Sequence, residues 1–486
     1  MTLPNDPSTP PTRPSVRPPA RRPGTRPRRG LLIGGVTALL LVAAWAGSTM
    51  YAAGQAESVT DNAAKTLDTA LKSNHLGHVE RHTFARGLTH STDDMYIVLD
   101  SGAAPYTLHL RNHIQHGPLP GLSAVGQAAV DTEIVWDAST QAALDKAFAG
   151  KKPVFHTLIG LGGTTDTTVQ IPAGQVAQNG ETASWQALAG HFQVSEAGRG
   201  INGDLTWPGA SIGGSEGTVI MKDLRYLAQQ QPYLARLSQG KSSFSVGSVQ
   251  FPGNTGRLDG LSMVTTTSPS GPDLGSRTEI AATTLSVAGR SYSNLKLNLS
   301  ASGLNSAALE GLAEVVQRPE YRQALNTLGS GSDSNTQDAA FKQQLGQLKT
   351  PLQRLLAGNP ALSVDEVSVQ TPQGPLKVAL KAAVVNGGSI DLNSLLSQQG
   401  LAAGTGNPAL LGLLGNLKLS ADIEGNQAAI AGLLGGSGNS AAAGIAQSID
   451  PMVQQGMITR SGQTLKTHLE FSRDGASING KPVPLQ

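Results

Sequence analysis

From residue 79 onward the apolar positions alternate with polar ones, and this period of two predicts a chain built mostly of strands. The first are Met95–Asp100, Tyr106–Gln115 and Val130–Trp136, with turn residues such as Ser101-Gly102 and Gly117-Pro118 between them. More are expected at Val154–Leu161, across Thr182–Leu205, and at Thr218–Asp223, Ser243–Phe251, Leu258–Thr267, Thr278–Val287 and Ser291–Ala301. They return at Leu362–Val369, Leu376–Val385 and Leu417–Ile423. The chain closes on a hairpin of Met457–Arg460 with Leu465–Phe471, near Ile478-Asn479-Gly480.

Helical spacing is confined to a few stretches. Residues 57–73 place Val59, Ala63, Leu67, Ala70 and Leu71 on one face, and Ser139–Ala149 and a piece around Leu224–Leu237 are short helices. In the middle, Leu309, Leu312, Ala313 and Val316 follow an Asn305 or Ser306 cap and stop at Pro319. A second helix carries Phe341, Leu345, Leu348, Leu352 and Leu355, with a kink or restart expected at Pro351. Gly329–Asn335 is a linker between the two, and the glycine- and alanine-rich tract 400–446 is expected to be loop and weak helix around one strand.

Four strands share one pattern: Leu295–Leu299 (LKLNL), Leu376–Leu380 (LKVAL), Leu417–Ala421 (LKLSA) and Leu465–Leu469 (LKTHL). Their starts are 81, 41 and 48 residues apart, which is no fixed repeat. Each has an apolar face and a polar one. Either helices cover the apolar face of the resulting sheet, or part of it stays open as a groove for lipid-like ligands.

A different pattern precedes the strands. Residues 1–29 hold nine prolines and seven arginines against the single acid Asp6, a composition of a disordered tail. No charge then occurs for 27 residues, from Gly30 to Ala56. About 20 apolar residues span the hydrocarbon core of a bilayer, so Gly30–Tyr51 is long enough. Trp45 and Tyr51 suit the far interface, and the arginines place the tail in the cytoplasm. The expected order is a cytoplasmic tail (1–29), an uncleaved transmembrane anchor (30–54) and an exported β-rich body in two parts, 55–328 and 329–486. A cleaved signal at Ala44-Trp45-Ala46 and a twin-arginine signal at Arg28-Arg29 are the competing readings, and both also export the body. The fold class expected is α+β: a single N-terminal transmembrane helix, then a large, mostly antiparallel β-sheet with helices on one face or end.

Composition narrows the chemistry. With no cysteine there is no disulfide, thiolate nucleophile or cysteine-held zinc. Only 14% of residues are charged, against about 25% in an average soluble protein. The formal net charge of +2 divides into +6 on the tail and −4 on the rest, which argues against nucleic acid and for a membrane-facing basic tail.

A resemblance joins these pieces. His116-Gly117-Pro118-Leu119-Pro120, preceded by His113-Ile114, looks like the most recognisable segment of the YdgA-like family, a bacterial domain-of-unknown-function family. Gly54 with Glu57, Arg86-Gly87-Leu88, Leu304-Asn305, and the ending Asp474-Gly475 with Ile478-Asn479-Gly480-Lys481-Pro482 agree with it. The resemblance implies an inner-membrane-anchored protein whose bulk faces the periplasm or its equivalent. It carries over no catalytic residue.

Individual motifs add little chemistry. Nine of the ten histidines lie between His75 and His191, without the spacing of a metal site, so no metal and no cofactor is expected. The binding candidates are His113, His116, Gly117, Pro118 and Pro120, which form either a rigid turn or a partner-docking loop. Gly209-Ala210-Ser211-Ile212-Gly213 has the letters of a nucleophile elbow, and Gly240-Lys241-Ser242 those of a P-loop end, each in the wrong context. The expectation is therefore a membrane-anchored, non-enzymatic envelope protein, a scaffold binding an envelope partner or a second copy of itself. A carrier of lipid or another hydrophobic ligand is the alternative, and an exported hydrolase a distant third.

Overall fold

A computed structural model describes residues 64–65, 67–69, 71–72, 76–100, 105–120, 125–178, 180–195, 200–215, 217–318, 335–392, 415–435 and 449–483. The expected tail and membrane span, 1–54, lie outside them, as does most of the linker 329–335 and much of the tract 400–446. No helix among the described residues is long and apolar enough to cross a membrane.

Among the described residues twenty-two strands form one antiparallel sheet, and its order is almost the order of the chain. Strands β1 (Gly77–Ala85), β2 (His90–Asp100), β3 (Pro105–His116), β4 (Ala128–Val135), β5 (Val154–Ile159) and β6 (Thr165–Ile171) pair successively. The hairpin of β7 (Gly174–Gln178) and β8 (Glu181–Trp185) then steps aside, and β9 (Leu188–Ser195) pairs with β6. Strand β10 (Gly200–Gly214) is long enough to pair β9 along one part and β8 along another. The meander resumes through β11 (Gly217–Pro232), β12 (Ser238–Gln250), β13 (Gly256–Ser270), β14 (Asp273–Val287) and β15 (Arg290–Asn305). It continues through β16 (Ala361–Thr371), β17 (Gly374–Val384), β18 (Leu417–Asn426) and β20 (Thr464–Ser472), with short β19 (Thr459–Ser461), β21 (Gly475–Ile478) and β22 (Lys481–Val483) at the far edge. Neighbours in sequence pair because tight turns join them; Asn479 and Gly480, at φ 49° and 76°, make the left-handed pair of a two-residue hairpin.

Helices are few. They are α1 (Ala138–Ala147), α2 (Ser306–Gln317), α3 (Asn335–Ala357) and α4 (Gln427–Gly435), and residues 64–72 are helical wherever described. The molecule is thus mostly β rather than evenly α+β. Asn305 caps α2, its Oδ1 accepting from the Ala308 amide at 3.0 Å. Helix α3 continues through Pro351 without a restart. The pair α2 and α3 is inserted between β15 and β16, packs Leu312 and Val315 against Leu348 and Leu352, and stands at one end of the strands. Helix α4 stands at the other end, following β18.

The expected helix at Leu224–Leu237 is instead strand β11 up to Pro232. Its helical spacing of Leu224, Leu227 and Ala228 is overridden by ladders to both β10 and β12. A left-handed residue contributes to the misleading pattern. Met221 and Leu224 are three apart, which a regular strand would put on opposite faces, yet both pack on one core cluster. Asp223 between them has φ 55° and reverses the alternation.

One apolar face runs the length of this sheet and meets two environments. Over β2–β10 it is a sealed core: Met95, Leu110 and Val169 are wholly buried, with Phe148, Trp185 and Trp207 around them. Ala64 and Leu71, both helical, belong to the same core. From β11 onward few of the described side chains are fully buried, and among the described residues no helix layer lies over the same face.

Candidate functional site

The residues expected to form a site divide into three groups. The first is the segment His116–Pro120. His116 ends β3, and its Nε2 lies 2.7 Å from the Ser91 hydroxyl, while its backbone amide donates to the Thr89 carbonyl. Gly117, at φ 112°, turns the chain so that its amide reaches the Gln127 carbonyl, and the Gly126 amide returns a bond to Pro118. Pro120 is fully buried, whereas Leu119 is exposed. This geometry is a clip between the end of β3 and the approach to β4. His113 stands apart from it, 3.7 Å from Glu133 on the outer face. The five candidates therefore do not converge.

The second group is the histidines. Six of the nine described ones stand within 3.7 Å of a carboxylate, almost all across neighbouring strands. Among the described residues no three metal-ligating side chains gather at one point. His109 stacks on Tyr96 at 4.2 Å and bonds Asp94, which also accepts from Arg111 at 2.9 Å. Burial opposes the Asp94 charge, but these two donors outweigh it and hold the carboxyl below its ordinary range. On the inner face, Asp93 is wholly buried between His82, at 2.5 Å, and the Asn112 amide, at 2.7 Å; Asn112 in turn accepts from Thr132.

His468, on β20, has its ring 2.7 Å from Asp422 and 3.7 Å from Glu470. The hydrogen bond to Asp422 raises the imidazole above its ordinary 6.5, and Glu470 adds to the rise. A raised folded value means that the stabilisation is complete below the unfolded pKa and is lost as pH climbs through the folded one. In an NMR titration the His468 midpoint should lie above 6.5 and fall toward it in Asp422→Asn; an unchanged midpoint would show that Asp422 is not the cause.

The sequence motifs of enzymes dissolve in the fold. Ser211 sits inside β10 with more strand after it, where an elbow needs a strand-to-helix turn, and its hydroxyl pairs with that of Ser184 at 2.8 Å. Gly240-Lys241-Ser242 lies within β12 rather than in a phosphate-binding loop.

The third group was visible only as a pattern, and it is the one the fold assembles. The four look-alike strands are β15, β17, β18 and β20, and their fifth residues fall into one cross-strand row: Leu299, Leu380, Ala421 and Leu469, with Val364 of β16 between the first two. A parallel row runs Ala301, Leu362, Ala382, Leu419, Phe471. Together they floor a cavity of about 830 Å³ that reaches from Ser276 on β14 to Val483 on β22. Because strands so far apart line one cavity, the sheet must curl into a trough. Its apolar floor is open: Leu362 is 63% exposed and Leu380 45%.

Charges alternate onto the reverse face, where Lys418 pairs with Glu470 and Lys466 with Glu424. The trough is bounded along the strands by α4, since a Cβ added at Gly425 would stand 3.2 Å from Ile430 of that helix. Volumes of 300–1,000 Å³ with apolar walls are typical of small-molecule sites, roughly, so the trough has both the size and the lining of one.

Residues 30–486 match the model of a family described as bacterial protein of unknown function (DUF945). No curated protein and no solved structure gives a match. The matched span begins at the first residue of the uncharged run and ends at the last residue of the chain, taking in every strand of the trough. The YdgA-like resemblance is consistent with this, and the chain belongs to DUF945, a bacterial family of unknown function.

Proposed function

We propose that this protein is a YdgA-like envelope protein that binds the acyl chains of a lipid in the trough of β14–β22. One observation carries the reading: two in-register rows of apolar side chains floor an open cavity, with no charged side chain in either row. Eight strands at about 4.8 Å spacing make a floor of roughly 34 Å, a little more than the full hydrocarbon thickness of a bilayer and about twice the depth of one leaflet. An extended acyl chain fits that floor with room to spare. Leaving such a surface in water would be costly, at about 25 cal/mol per Å² of apolar area.

The same reading places the body outside the cytoplasm, tethered by residues 30–54. The support is the 27-residue uncharged run behind seven arginines. The described helical residues Ala64 and Leu71, ten or more positions beyond it in sequence, pack into the β2–β10 core, which supports a tether near that end of the sheet.

Native mass spectrometry of the full chain in mild detergent, with lipid extraction, tests the reading. The expected result is stoichiometric co-purified lipid, reduced about tenfold or more in Leu380→Asp, since a carboxylate facing an acyl chain loses its hydration. A lipid-free protein would overturn it, and a lipid-free protein of fixed oligomeric state would favour the scaffold reading instead.

A further inference from the structure

The trough does not end where its cavity does. A third cross-strand row starts at Leu205 on β10 and passes through Tyr226, Phe244, Met263 and Ile280 to Leu297 on β15, each residue directly opposite the next. From Leu297 it continues through β16 and β17 to Ile423 on β18. Leu297 is two residues before Leu299, so this row shares the face of the trough floor. It crosses nine strands, about 38 Å at about 4.8 Å per strand.

Three properties distinguish this row from an ordinary half-covered sheet face. It contains no charged residue, while its neighbours along the strands, among them Arg225, Glu279, Lys296 and Glu424, alternate onto the reverse face. It stays open to solvent along its length, with Tyr226 36%, Met263 39% and Val367 40% exposed. It also ends differently at its two ends: at Leu205 it joins the core cluster that Ala64 and Leu71 belong to, and at β15–β18 it runs alongside the floor row of the 830 Å³ cavity, Leu297 beside Leu299 and Val378 beside Leu380 on the same strands.

We infer that the trough is the wide end of a continuous apolar track, and that acyl chains slide along the track between the trough and a blind end at β10. This rests on the acyl-binding reading and adds to it. A closed pocket would hold one ligand in one pose, whereas a uniform row of aliphatic and aromatic side chains offers equivalent positions at every strand. Movement along it then requires no hydrogen bonds to be broken, because hydrophobic contact is non-directional.

The chain has no cysteine, so single cysteines can be placed and labelled without background. The full-length protein in mild detergent would carry a bimane fluorophore at Leu380→Cys in the trough, at Met263→Cys on the track, or at Lys296→Cys on the reverse face. Phe244→Cys serves as a second track position should Met263→Cys fold poorly. The probe is stearic acid bearing a nitroxide on its acyl chain. Loss of fluorescence at both Leu380→Cys and Met263→Cys, with none beyond the free-probe background at Lys296→Cys, is the expected result. Loss at Leu380→Cys alone would overturn the track and leave the trough reading intact. Loss at neither would overturn both, and equal loss at all three would also overturn them, since it would mean unspecific partition.

Discussion

Asp93→Ala should destabilise the folded protein by about 1–3 kcal/mol, the cost of leaving buried hydrogen-bonding partners unsatisfied. Asp93 has no exposed surface, and its two oxygens face the His82 ring and the Asn112 amide. Alanine would leave both of those groups buried beside an apolar methyl, with Thr132 still bonded only to Asn112. The polar chain spans β1 to β4, so its loss should be felt by the whole first part of the sheet. Urea unfolding followed by tryptophan fluorescence reads this directly, because Trp185 and Trp207 lie in the same core cluster and Trp136 packs against it. Asp93→Asn, which can still accept from Asn112, should lose less than alanine. A midpoint unmoved in Asp93→Ala would mean that the chain contributes nothing to stability.

The second large effect compares one substitution at two places on the same sheet face. Leu110→Ala, at a wholly buried position, should cost about 2–5 kcal/mol through lost burial and the cavity left behind. Leu380→Ala removes the same atoms from the open trough floor and should change stability by about 0.5 kcal/mol or less, as exposed positions do. Leu380 is instead expected to matter for lipid retention. Equal destabilisation by the two substitutions would mean that the trough floor is covered in solution, and the binding reading would lose its basis.

Much of the architecture was legible in the alternation itself. The strands around Leu295, Leu376, Leu417 and Leu465 were expected to be one-sided, and they are: Lys418 and Lys466 pair with acids on the reverse face while Leu299, Leu380, Leu419 and Leu469 floor the trough. The segment around Leu224 was misread because three apolar residues at helical spacing cannot reveal that two strands will pair on either side.

The family-like segments stand at turns, clips and caps of the fold. His116-Gly117-Pro118 clips β3 to β4, Asn305 caps α2, and Asn479 closes the last hairpin, with its side chain accepting from the His468 amide and donating to the Met457 carbonyl. Short recognisable strings mark places where the backbone must turn or stop, since those positions tolerate few residue types. An apolar groove tolerates many aliphatic residues and so has no such string.

The sequence by itself determined that the protein is strand-rich, that its strands have one apolar and one polar face, and that an uncharged run follows an arginine-rich tail. Period and composition are local properties, and they are readable without knowing which strands meet. Only the tertiary structure decided that Leu299, Val364, Leu380, Ala421 and Leu469 stand in one row, and that the described helices gather at strand ends and leave that row open. Register depends on how each turn joins its strands, and a shift of one residue would turn every one of those side chains to the other face.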